Sequence, residues 1–164
     1  MLINMKKIIL IRHAKAQQLF SISDHDRPLT EVGVQTAIKL AIKSKSYIST
    51  NSFIVSSSSV RTSQTAKLFN QIWNLPKFEI IYYNELYTFE LKKLEKNVKS
   101  FPNHYNNIIL FGHNCAITDF VNKFGDVLID NVPTSGFVSI IFDVNNWNDI
   151  KKGKTDKIIF PSDI

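Results

Sequence analysis

The sequence predicts an α/β fold on a mostly parallel sheet, and two observations carry that prediction. Short apolar runs, Ile8 to Ile11, Phe53 to Val55 and Ile108 to Phe111, alternate with longer stretches of helical periodicity through the first two-thirds of the chain. Runs that are apolar without alternation read as strands covered on both faces, the habit of parallel sheets flanked by helices. Each run also leads into basic residues: Arg12 and His13 after the first, Arg61 beyond the serines after the second, and His113 after the third. Ligand sites in open α/β sheets form outside the carboxyl ends of the strands. Four basic side chains from three segments are therefore expected to meet at one point, where they suit a phosphoryl group.

The first strand is expected over Lys7 to Ile11, followed by a long connection, Ala14 to Pro28, whose second half is polar. Loops of that length are commonly functional. Thr30 reads as a helix N-cap, with Glu31 well placed at the positive helix end. Val34, Ala37, Ile38, Ala41 and Ile42 then mark the apolar stripe of an amphipathic helix. A second strand spans Phe53 to Ser57. Ser59 caps the next helix, whose apolar side holds Ala66, Phe69, Ile72 and Trp73 before Pro76 stops it. Phe78 to Tyr83 is a third strand, and Leu91, Leu94 and Val98 mark a helix ending before Phe101-Pro102. Asn107 to Phe111 is the fourth strand, and Ala116 to Phe124 a short helix closed by Gly125. Two late strands, Phe137 to Asp143 and Lys157 to Phe160, read as a hairpin at a sheet edge around a turn rich in Asn, Lys and Gly.

The 164 residues fit one domain with a sizeable core, and a 44% hydrophobic, 21% charged composition is that of an ordinary globular chain. Net charge is +6, which suits an anionic partner. The lysines are scattered over helix faces and no nucleic-acid module accompanies them, so nucleic acid is not the expected partner. The lone Cys115 excludes an intramolecular disulfide and fits a reducing compartment. No apolar stretch reaches membrane-spanning length, and the apolar run at the start is too short for a signal-peptide core. A cytoplasmic chain, monomeric or weakly oligomeric, is expected.

Four blocks carry the chemistry: Arg12-His13-Ala14-Lys15, Asp26-Arg27-Pro28-Leu29-Thr30-Glu31-x-Gly33, Ser57-x-x-x-Arg61-x-x-Gln64-Thr65-Ala66, and Gly112-His113-Asn114. In their order and spacing these blocks resemble the histidine phosphatase superfamily. The Arg-His-Ala-Lys start, the Asp-x-Asp-Arg-Pro-Leu-Thr stretch and the short length look most like its small SixA-like phosphohistidine phosphatases. The resemblance implies a three-layer α/β/α sandwich of phosphoglycerate mutase-like type. It also implies hydrolysis of a phosphoryl group through a phosphohistidine on His13, with phosphohistidine on a protein as the substrate. A small phosphomonoester, or a domain that binds phosphate without catalysis, are the alternatives.

The physical chemistry agrees with this resemblance. A phosphomonoester repels nucleophiles, so positioning and charge neutralisation supply most of the catalysis. Arg12 and Arg61 offer planar paired donors to its oxygens. His13, as nucleophile, needs one neutral ring nitrogen with a free lone pair, and His113, if protonated, adds a donor. Backbone N–H groups near Ala14 and at the start of the Ser59 helix are further candidate donors. The resemblance puts the leaving-group acid after the third strand, where Glu85 is available, and Asp24 and Asp26 are weaker candidates. Lys15, Ser57 and Asn114 are expected to line the substrate site, with a plain surface place as the alternative for Lys15. His25 and His104 read as solvated, and Gln64, Thr65 and Ala66 as helix packing. The 131–136 segment is expected to form a pocket wall. No cofactor or metal is implied, because the histidines and carboxylates lack ligand spacing.

Overall fold

The structure, a computed structural model, describes residues 5–74 and 79–164. Ten regular elements alternate along it: β1 (Lys6–Arg12), α1 (Glu31–Ser44), β2 (Ser52–Ser57), α2 (Val60–Trp73), β3 (Ile80–Tyr83), α3 (Leu91–Lys99), β4 (Asn107–Gly112), α4 (Ala116–Phe124), β5 (Phe137–Phe142) and β6 (Lys154–Ile159). They form one six-stranded sheet in the order β3-β2-β4-β1-β5-β6. The first four strands in that order run parallel, while β5 is antiparallel to β1 and to β6.

Alternation along the strands explains the layers. Ile8 and Leu10 of β1, with Ile108 and Leu110 of β4, face Leu94 and Val98 of α3 and Ile117, Phe120 and Val121 of α4. Ile9 and Ile11, with Ile109 and Phe111, face Ala37, Leu40 and Ala41 of α1 and Ala66, Phe69 and Trp73 of α2. Successive strand residues point to opposite faces, so a sheet covered on both sides needs apolar residues at every position. This is why the runs in β1 and β4 are continuous.

Helix boundaries follow the capping chemistry. The Thr30 hydroxyl accepts the Gly33 N–H, and the Ser59 hydroxyl accepts the Thr62 N–H, as the sequence predicts for both caps. Helix α2 ends on Asn74 in the left-handed region, whose N–H returns to the Asn70 carbonyl. Pro76 and Phe78, the expected helix stop and strand start, lie outside the described residues.

Three expectations are corrected. In α1 the buried stripe is Gly33, Ala37, Leu40, Ala41 and Ser44, and Ile42 is 60% exposed. Small residues let α1 lie close to its neighbours, and the packing turns the helix away from the phase that bulk alone gives. Strand β6 starts at Lys154, earlier than expected, because a register shift at Ser139/Ile140 lets it pair along β5. The segment between them is also more than a polar turn. Trp147 is fully buried there, its backbone N–H donating to Asn103 Oδ1 at 2.8 Å and its Nε1–H to the Tyr105 carbonyl at 2.9 Å.

Candidate active site

Strand register puts the key side chains side by side. Arg12 pairs with Gly112, and Ser56 of β2 with Phe111, so β1, β2 and β4 finish at the same sheet edge. His13 and His113 follow directly, with ring centroids 5.3 Å apart. Arg61 arrives from the first turn of α2, placed by the Ser59 cap, and is 98% buried.

Arg61 holds the cluster together. Its Nε–H donates to His13 Nε2 at 3.2 Å and its Nη2 lies 3.4 Å from His113 Nδ1. A guanidinium only donates, so both ring nitrogens facing it carry lone pairs. The protons then sit on the opposite nitrogens: His13 Nδ1–H donates to the Ala14 carbonyl at 2.7 Å, and His113 Nε2–H to Ser57 Oγ at 2.8 Å. Burial, followed by the Arg61, Arg12 and Arg27 charges, lowers the His13 pKa to about 4 against the pull of its Ala14 bond. Burial, then His13 and Arg61, pushes His113 well below the usual imidazole range. Burial and the neighbouring charges thus favour the neutral form of both rings, and an anion beside His113 would favour its protonation.

Arg12 approaches from the other side. Its Nη1 donates to the Val132 carbonyl at 2.9 Å, while its Nε–H is buried with no partner among the described residues. The 131–136 segment forms that wall: Ser135 N–H donates to the carbonyls of Arg12 and His13, and Arg12 N–H donates to Gly136. Asn114 is occupied with the same wall. Its amide donates to Asn131 Oδ1 and its oxygen accepts from the Thr118 N–H and hydroxyl.

Other candidates sit differently from expectation. Ser57 is fully buried, and its hydroxyl also accepts from the Ser59 N–H, so it positions His113 and faces no substrate. The Ala14 N–H is taken by Thr65 Oγ1, so it is no phosphate donor, and the same hydroxyl donates to the Arg61 carbonyl. Thr65 therefore ties the His13 loop to the turn that carries Arg61. Gln64 Oε1 accepts from the Leu29 N–H, another link from α2 to the loop after His13. Lys15 is exposed, and its carbonyl accepts from Thr30 N–H at the start of α1. A Cβ on Gly33 would overlap that carbonyl, which explains the glycine in the Thr-Glu-x-Gly block. Glu85 is exposed in a short 3-10 turn, Asn84–Leu86, where its backbone carbonyl accepts from Asn97.

Sequence reasoning missed a set of loop residues. Asp24 takes the outer edge of Arg61: Nη1 donates to its carbonyl at 2.5 Å and Nη2 to Oδ2 at 3.0 Å. The same carboxylate accepts from Tyr87 Oη at 2.5 Å and from both Nε and Nη2 of Arg27. Partial burial opposes its ionisation, yet Tyr87, Arg27 and Arg61 outweigh that and hold the carboxyl far below its ordinary range. These donors favour the ionised form of Asp24, which suits it poorly to act as a general acid. His25 is half-buried, with Nε2 3.1 Å from Ser58 Oγ and its ring edge-on to Tyr87. Tyr87 and Phe89 both pack edge-on against His113 at 5.3 Å. The available signal was the length of the 14–28 connection and the aromatic spacing in Tyr87-Thr88-Phe89.

Among the described residues no group of His, Cys, Asp and Glu is placed to hold a metal ion, and no helix is long and apolar enough to cross a membrane.

A sequence profile of the histidine phosphatase superfamily, branch 1, matches residues 8–108. No curated protein matches the chain. Among solved structures, a protein assigned as the phosphohistidine phosphatase SixA from Nakamurella multipartitia is 21% identical, with a TM-score of 0.81 and 96% of each chain covered. A protein histidine phosphatase SixA complexed with tungstate is 19% identical, with a TM-score of 0.79 over 95% of this chain and 97% of that one. Phosphoglycerate mutase from Bacillus anthracis is 15% identical, with a TM-score of 0.65 over 97% and 95%. These likenesses establish the three-layer, phosphoglycerate mutase-like α/β/α fold that the blocks imply.

Proposed function

The chain belongs to the histidine phosphatase superfamily, and from that premise we propose that it hydrolyses phosphohistidine on a protein through a phosphorylated His13. The observation that carries this reading is the hydrogen-bond geometry of His13, with the Ala14 carbonyl 2.7 Å from Nδ1 and the Arg61 Nε–H donating to Nε2 at 3.2 Å. Its Nδ1 proton is committed to the Ala14 carbonyl, and its Nε2 lone pair faces Arg61. With a pKa of about 4, the ring keeps that lone pair through neutral and mildly acidic solution.

In the first step His13 Nε2 forms a bond to phosphorus while the bond from phosphorus to the leaving nitrogen breaks. The electron pair goes to the leaving imidazole, which departs neutral when its distal nitrogen is already protonated. In the second step water attacks the phosphohistidine, inorganic phosphate forms, and His13 recovers its lone pair. Arg12, with its unpartnered Nε–H, and Arg61 neutralise the equatorial oxygens, and His113 gains a proton as the anion binds. Lys15 supplies further positive charge at the edge of the site. Glu85 is the acid for an alkoxide leaving group, a demand that a P–N substrate does not make.

A small phosphomonoester remains the rival substrate, and a phosphate-binding domain without turnover is the rival in kind. The deciding experiment offers labelled phosphohistidine peptide and a panel of sugar phosphates to the wild type and to His13→Ala. Label trapped on the wild type and absent from the variant, with preference for the peptide, is the expected result. Preference for sugar phosphates would move the assignment to a metabolite phosphatase, and no trapped label from any substrate would end the catalytic reading.

A further inference from the structure

We infer that Phe89 and Tyr87 form a specificity wall for a flat aromatic leaving group; this rests on the catalytic reading above and gives it a recognition element. Both rings lie edge-on to His113 at 5.3 Å, and they meet each other at 5.4 Å. The wall therefore begins at a ring that itself packs against His13.

Three features fit these rings to recognition better than to core packing. Phe89 is 47% exposed although it packs against an imidazole that is fully buried, so part of the ring is free of protein contacts. Tyr87 is held rigid: its hydroxyl is bonded to Asp24, and its ring is braced by His25 at 5.0 Å. With that hydroxyl committed, the wall offers a leaving group aromatic carbon and little hydrogen bonding. Such a surface offers no hydrogen-bonding group that would fix the hydroxyls of a particular sugar. An imidazole is well served, since aromatic rings pair favourably edge-to-face or offset. The geometry thus gives the 87–89 segment a task in selecting the leaving group, separate from the proton donation implied for Glu85.

The test compares phosphoimidazole with phosphoramidate, two P–N substrates that differ in the ring. One aromatic pair corresponds to roughly a 2- to 12-fold effect on a rate ratio. Phe89→Ala is expected to lower kcat/KM for phosphoimidazole by about that factor and to leave phosphoramidate within about twofold. Phe89→Trp, which restores a ring, is expected to recover most of the loss. Equal losses on both substrates, or none on either, would overturn the inference while leaving His13 catalysis intact. If neither substrate places phosphate on wild-type His13, the catalytic reading fails first and the wall falls with it.

Discussion

The two halves of the site are built in different ways. At the strand ends, Arg61 is 98% buried and His113 is 99% buried, with Arg61 Nε–H bonded to His13 and His113 Nε2 to Ser57. Across the mouth, Asp24 has a side chain 48% exposed, Phe89 is 47% exposed, and both sit on connections outside the regular elements. The strand-end half holds its basic groups in fixed positions, and in the proposed reading a phosphoryl group reaches Arg61 by displacing its bonds to Asp24. The loop half is held by charge and ring contacts at the solvent boundary, where each bond is weaker. In the proposed reading, chemistry belongs to the first half, and access and selection to the second. Substitutions in the strand-end half should reduce kcat, and substitutions in the loop half should move affinity or substrate preference.

The largest effect is expected from Arg61→Ala. It removes the donor that touches both imidazoles and leaves Asp24 with Arg27 as its remaining guanidinium partner. By analogy with lost charged donors elsewhere, the cost in transition-state stabilisation is about 3–5 kcal/mol. Single-turnover rates on a phosphohistidine substrate measure it. Arg61→Lys should recover little, because a point charge does not reproduce two parallel N–H donors. Retention of most activity in either variant would show that the buried cluster is structural.

Asp24→Asn probes the opposite half and should act with the opposite sign. In the unliganded site Asp24 occupies both terminal nitrogens of Arg61, so an incoming phosphoryl group competes with a resident carboxylate. Amidation removes that negative charge and preserves the shape. Inorganic phosphate, measured as a competitive inhibitor or by calorimetry, should bind about 1.5- to 5-fold tighter, a modest gain because the carboxylate is half exposed to solvent. Weaker phosphate binding would reassign Asp24 as a support that aims Arg61, and the division between the halves would blur.

The same division explains what the sequence disclosed. Buried strands announce themselves by composition, and residues that follow them inherit a predictable place; Arg12, His13 and His113 were legible for that reason. Arg61 needed one further step, the Ser59 cap that sets the first turn of α2. Ser57 was expected to line the substrate site, but its partner His113 was not legible, since a hydroxyl at a strand end points wherever packing sends it. Asp24, His25 and Tyr87 meet across 63 residues of chain through side-chain bonds, and no periodicity encodes such a meeting. In α1 the bulk of Ile42 misled the phase, whereas the small Gly33, Ala37 and Ala41 mark the packed side.

On a phosphohistidine substrate Glu85→Gln should have the smallest effect, and a large effect is expected only where the leaving group is an alkoxide. The residue is exposed, and its turn is held to α3 through its backbone carbonyl by Asn97, which the substitution leaves in place. Fold and site should therefore survive, leaving proton donation as the quantity under test. A leaving imidazole protonated at its distal nitrogen needs no acid, so kcat/KM on phosphohistidine should stay within about twofold of wild type. An alkyl phosphate must release an alkoxide, and there loss of a general acid costs typically about 10²–10⁴-fold. The ratio of the two losses gives the answer in one experiment. A large fall on both substrates would put Glu85 among the residues that hold the phosphoryl group. No fall on either would leave the loop half without a proton donor at this position and restrict the enzyme to leaving groups that need none.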